Sequence, residues 1–212
     1  MTSRNERSQR AAPAAARLVA AVAVAWASAA VGDTVRTDTP EATVQSLHAG
    51  LVAVAEEQGG AALDERYRAL EPLVEATHDL PYIAEFAIRR QWRDLDDDER
   101  ARFVAAFTRL SVTTYASRFA GVGEASFRLE GSEALPQERA EVRTAIARAD
   151  GTEVPLEYTL QQREDGGWKI INIVADGVSD LALKRAEYQR VLASGSIEDL
   201  IRHIDAQTAQ LR

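Results

Sequence analysis

Few residues in this chain have the types and spacing that chemistry requires. The acidic run Asp96-Asp97-Asp98-Glu99 places enough carboxylates together to gather a divalent cation. However, Asp96 with Glu99 three positions on is also the pattern of a capping box, and acids are favoured at the positive end of a helix. The run therefore predicts a helix start. Ser179 lies just beyond an apolar run, in Asp176-Gly177-Val178-Ser179-Asp180, where a nucleophile would need the G-x-S-x-G elbow. That elbow is missing, and Ser179 followed by Asp180 reads as an N-cap with a first-turn acid. His78 and Asp79 are adjacent, which denies them the geometry of a base and its orienting acid, so His78 reads as a structural histidine. There is no cysteine, which removes disulfides, thiolate catalysis and Cys-ligated metals. His48, His78 and His203 are the only histidines, too few for a His-rich site. No catalytic residue, metal or cofactor is expected. Arg89, Arg90 and Arg93 form a local basic cluster, either a solvated helix face or an anion contact.

The 212 residues carry 25 Lys+Arg against 33 Asp+Glu, a net charge of −8. An acidic balance argues against nucleic-acid binding, which needs a basic face. With 46% hydrophobic and 27% charged residues, the chain reads as globular and long enough to bury a core. Its first residues read differently. Arg4, Arg7, Arg10 and Arg17 precede the uncharged run from Leu18 to Ala27, and Ala27-Ser28-Ala29 follows the A-x-A pattern. Ten apolar residues make a helix of only about 15 Å, half a bilayer core. This predicts a cleaved signal peptide over residues 1–29 and a single exported domain over residues 30–212. The expected compartment is the periplasm.

The rest of the chain runs helices, strands, helices. Thr39-Pro40-Glu41 is a helix start, and Val44, Leu47, Leu51, Val52 and Ala55 make its apolar stripe. A second helix is predicted from Leu63 to about Thr77, and a third, short one from Pro81 to Trp92. A long one follows the acidic run through Phe103, Phe107, Leu110, Tyr115 and Phe119, closed by Gly121 and Gly123. From Ala125 the period becomes two, in four runs separated by turn signals at Asp150-Gly151 and Asp165-Gly166-Gly167. The fourth run is apolar on both faces, which predicts cover on both sides. Two helices, from Ser179 and from Ser196, finish the chain. The expected fold is α+β, a four-stranded antiparallel sheet packed against several helices.

Alternation places Val142, Ile146, Val154, Leu156, Tyr158, Leu160 and Ile170 on one face of that sheet. Together with Trp92, Phe107, Leu110 and Tyr115 they are the expected walls of an apolar pocket between the long helix and the sheet. A small cavity enzyme remains the alternative, with Tyr158 or Asp176 as its buried titrating group, as does a structural envelope protein with a filled core.

Trp92-Arg93-Asp94-Leu95, Glu99-Arg100, Phe103 to Phe107 and Thr114 to Phe119 resemble the central helix of the MlaC family, periplasmic lipid carriers also known as toluene-tolerance auxiliary components. Gly167 to Ser179 resembles that family's last strand and the turn into its C-terminal helix. The segment Val178 to Tyr188 looks closer to the hopanoid-associated HpnM branch. The resemblance implies that the pocket takes lipid, phospholipid or hopanoid. It also implies that the protein shuttles this cargo between inner and outer membranes. Its partners would be an inner-membrane ABC/MCE-type transporter complex and an outer-membrane partner.

Overall fold

A computed structural model describes residues 35–58, 60–119, 126–147 and 151–212. The expected signal peptide, Gly59, Gly121, Gly123 and Asp150 lie outside the described residues. No helix among the described residues is long and apolar enough to cross a membrane.

The helices begin where their caps dictate. In α1 (Pro40–Gln58) the Ala42 N–H donates to Thr39 Oγ1 at 3.1 Å. Helix α2 (Leu63–Thr77) follows. Asp79 then caps α3 (Leu80–Ala87), accepting from Tyr82 N–H at 3.2 Å. The single short helix expected from Pro81 to Trp92 is broken. Ile88, at φ −120° and ψ 25°, separates α3 from α4 (Arg89–Trp92). The break leaves the Ile88 side chain fully buried while Arg89 and Arg90 are exposed. Helix α5 (Asp97–Arg118) starts on the expected capping box: Glu99 N–H donates to Asp96 Oδ1 at 2.8 Å, and Asp96 N–H to Glu99 Oε2 at 3.0 Å.

The sheet comprises β1 (Ser126–Leu135), β2 (Arg139–Ala147), β3 (Glu153–Gln162), β4 (Trp168–Ala175) and β5 (Val178–Ser179), all antiparallel and in sequence order. Four strands were expected and five are formed. The extra one comes from Asp176 and Gly177, whose φ angles are +50° and +76°. Positive φ at both central residues is what a two-residue type I′ hairpin requires. Two residue pairs follow, Val174 with Ser179 and Ala175 with Val178. Ser179 then caps α6 (Asp180–Leu192), accepting from Ala182 N–H at 3.2 Å. Helix α7 (Ile197–Gln210) closes the chain on a second capping box, Ser196 with Asp199.

In strand β4 both Ile170 and Ile171 are buried, and Ile171 falls in a bulge, since Leu160 pairs with Ile170 and Thr159 with Asn172. Its outer edge is occupied too: Trp168 N–H donates to the Thr37 carbonyl at 2.7 Å, and Asp79 N–H to the Ile170 carbonyl at 3.0 Å. Helices α1, α2, α3 and α6 pack on β4, and α1 continues across β2 and β1. Helix α5 forms a second layer, packed on α2, α3 and α7. This corrects the expected placement of α5 directly against the sheet. Its apolar positions are satisfied by other helices: Phe103 and Phe107 both meet the Tyr188 ring edge-on, with centroids 6.2 and 6.5 Å away.

Candidate functional site

The strand register brings the sheet residues singled out from sequence onto one inner face. Val142 is paired with Tyr158, Ile146 with Val154, and Leu160 with Ile170, while Leu156 lies opposite Thr144. Directly paired residues share a face. Val142, Leu156, Tyr158, Leu160 and Ile170 are buried, and Ile146 and Val154 are half-buried. The α5 residues divide. Phe107 and Leu110 are buried in the core. Trp92 of α4 packs on Phe103, with centroids 6.5 Å apart, in the aromatic cluster that includes Tyr188. Tyr115 reaches His78, which bridges to β4 at Ile170.

The helix that does lie over the inner face is α1, and an open groove of about 460 Å³ runs between it and β1–β2. The α1 wall is Ala49, Val52 and Ala53, and the sheet wall is Phe127, Leu129 and Thr144. Small residues at positions 49 and 53, one turn apart, keep the helix from filling the space. His48, on the same helix, is buried at the groove and stacks on Phe127 with centroids 3.9 Å apart. A second, larger open cavity, of about 660 Å³, lies between α2 and α5, lined by Tyr67, Glu71, Glu75, Val104, Thr108 and Arg109 among others.

A polar seam runs through this apolar interior. His48 Nε2 and Tyr158 OH are hydrogen-bonded at 2.8 Å, and His78 Nε2 and Tyr115 OH at 2.9 Å. His78 Nδ1 lies 3.1 Å from the Val74 carbonyl, which can only accept. The proton therefore sits on Nδ1, and Nε2 accepts from the Tyr115 hydroxyl. Burial lowers His48 from 6.5 to about 3 and His78 to about 4, so both rings are neutral at pH 7. Burial pushes the phenols of Tyr158 and Tyr115 well above 10. Thr144 Oγ1, opposite Leu156 in the register, is buried without a hydrogen-bond partner. These groups hold protons firmly in place and offer donors and acceptors on an apolar wall. Asp176, the other titrating group considered from sequence, is exposed in the β4–β5 turn. Among the described residues no three His, Asp or Glu side chains gather as a metal site.

Sequence reasoning did not single out His48, Ala49, Ala53 or Phe127 as site residues. The small residues at 49 and 53 carried a faint signal. His48 carried none, because its partner Tyr158 is 110 positions away.

A helical double layer packed on an antiparallel meander, with a groove under the first helix, makes this an α+β domain. The model of the MlaC protein family matches residues 41–206, and the chain belongs to this family. It is also similar to a solved structure of the phospholipid-binding protein from Ralstonia solanacearum, determined in complex with a phospholipid. Identity is 20%, the TM-score is 0.72, and the match covers 80% of this chain and 97% of that one. At that identity the likeness shows the shared fold. No curated protein matches the sequence.

Proposed function

We propose that this protein is a lipid-binding carrier of the periplasm that takes the acyl tails of a phospholipid between α1 and the inner face of the sheet. The observation that carries this reading is the open groove under α1 in a chain of the MlaC family. The Ralstonia protein of the same fold, solved with a phospholipid, supports the cargo class. A volume of about 460 Å³ holds part of a diacyl lipid. Full entry parts α1 from the sheet and exposes Ile146, Val154, Leu156, Tyr158 and Leu160 to the tails. Each buried CH₂ is worth about 0.8 kcal/mol, so two tails supply ample energy for that opening. The headgroup stays at the groove mouth near Gln45 and Glu56. No bond is made or broken.

The same reading extends to residues 1–29 as a cleaved signal peptide, and to a role as the soluble component of an ABC-transport system. In that role the protein passes phospholipid or hopanoid between an inner-membrane transporter complex and an outer-membrane partner. Lipid extraction and mass spectrometry of protein purified from the periplasm test the cargo. A stoichiometric phospholipid is the expected result, a pentacyclic lipid assigns the hopanoid cargo, and protein free of any lipid contradicts the reading.

A further inference from the structure

Thirteen ion pairs neutralise much of the charged surface among the described residues, yet Arg89, Arg90, Arg93 and Arg185 belong to none of them. All four are exposed, and the fold brings Arg89 and Arg185 together over one aromatic ring. The guanidinium of Arg89 lies 5.8 Å from the centre of the Phe86 ring, and that of Arg185, from α6, lies 5.5 Å from the same ring. Tyr82, one turn earlier on α3, stacks on Phe86 with centroids 6.1 Å apart. The two helices that carry the arginines are fastened together by Gln91 and Gln189, whose side-chain amides exchange hydrogen bonds of 3.3 and 3.1 Å. Like charges held together on a rigid frame, with no ion pair to a carboxylate, are repulsive until an anion arrives.

The geometry points to this face as a docking surface for an anionic bilayer. Guanidinium forks match phosphate oxygens in bidentate fashion, and a half-buried aromatic ring between them suits the headgroup level of a membrane. Neither cavity described above is lined by Phe86 or by any of the four arginines. A plane of phosphates meets separate, exposed guanidiniums without needing a recess. The net charge of −8 does not prevent this. At physiological salt, charges beyond about 8 Å are screened, so the arginines in contact dominate while the acidic remainder discourages other orientations. The surface is independent of whether the groove carries lipid.

The test is co-sedimentation of the full chain with vesicles of phosphatidylcholine containing about one third phosphatidylglycerol, against phosphatidylcholine alone. Binding to the anionic vesicles only, weakening with added salt, is expected. At about fivefold in affinity per arginine near an anionic surface, R89Q/R185Q and R90Q/R93Q should each weaken binding about 25-fold. Arg128→Gln, one charge removed from the sheet, should leave it within about twofold, where a single arginine of the face costs about fivefold. Arg90 and Arg93 are exposed and neither lies on the Phe86 ring, so the second pair reports even if the first unfolds. No binding to anionic vesicles, or equal losses from Arg128→Gln, would overturn the proposal. So would retention on an acidic polypeptide matrix without retention on vesicles, which would assign the face to a protein. Lipid content, measured on the same samples, tests the carrier reading separately.

Discussion

His48 and Tyr158 join α1 to the sheet beside the groove: the ring nitrogen on α1 and the phenol on β3 meet at 2.8 Å, with both residues buried. They are the polar fastening between the helix and the sheet that the proposed cargo must separate. Tyr158→Phe leaves a buried imidazole nitrogen without its partner, which costs about 1–3 kcal/mol. In His48→Leu/Tyr158→Phe neither partner is left unsatisfied. Denaturant unfolding should therefore show the double variant less destabilised than the sum of the two single ones. Additive losses would mean that the pair is not coupled.

The same burial sets a pH dependence. Both histidines have folded values below their unfolded 6.5, about 3 for His48 and about 4 for His78. Between those limits the unfolded chain binds more protons, so stability rises with pH and is lost as pH falls below 6.5. The slope is about 1.4 kcal/mol per pH unit for each histidine well inside that window. Unfolding measured from pH 7 to 5 should show the loss. His48→Leu should lower the slope by about half, and an unchanged slope would contradict the buried, neutral state of His48.

Gly50 of α1 faces Leu73 of α2, and a Cβ there would run into the Leu73 side chain, which is itself buried. Alanine favours a helix over glycine by about 1 kcal/mol, but overpacking costs about 1–3 kcal/mol. Gly50→Ala should therefore lower the melting temperature. A rise would mean that α1 and α2 have room to move apart.

Ala53 and Leu156 separate groove from core. Ala53 lines the groove and is half-buried, whereas Leu156 is buried on the inner face. Ala53→Trp should fill the groove, keep the unfolding free energy within about 1 kcal/mol, and lower lipid content about tenfold or more. Leu156→Trp should cost about 1–3 kcal/mol by overpacking. An Ala53→Trp protein with its normal lipid load would remove the groove from the pathway.

Much of this architecture is written locally. The caps at Thr39, Asp96 and Ser179 and the alternation in β2 and β3 are signals within four residues, and all appear as read. The β5 hairpin was equally local, since Asp-Gly after a strand is a strong turn signal, but Ser179 was read only as a cap. The layering was not legible. The stripe on α5 has the same spacing whether it meets a sheet or other helices, and only the long-range contacts of Phe103 and Phe107 with Tyr188 decide. The site suffered most, because a groove consists of side chains too small to fill space, and residues such as Ala49 and Ala53 look like ordinary helix formers.

The most direct test is photo-crosslinking with a phospholipid that carries a photoreactive group on one acyl chain, with adducts mapped by peptide mass spectrometry. Adducts on Val52, Ala53, Phe127, Ile146 or Val154 are the predicted result, placing the tail between α1 and the sheet. Adducts confined to Tyr67, Val104 or Thr108, in the cavity between α2 and α5, would contradict it.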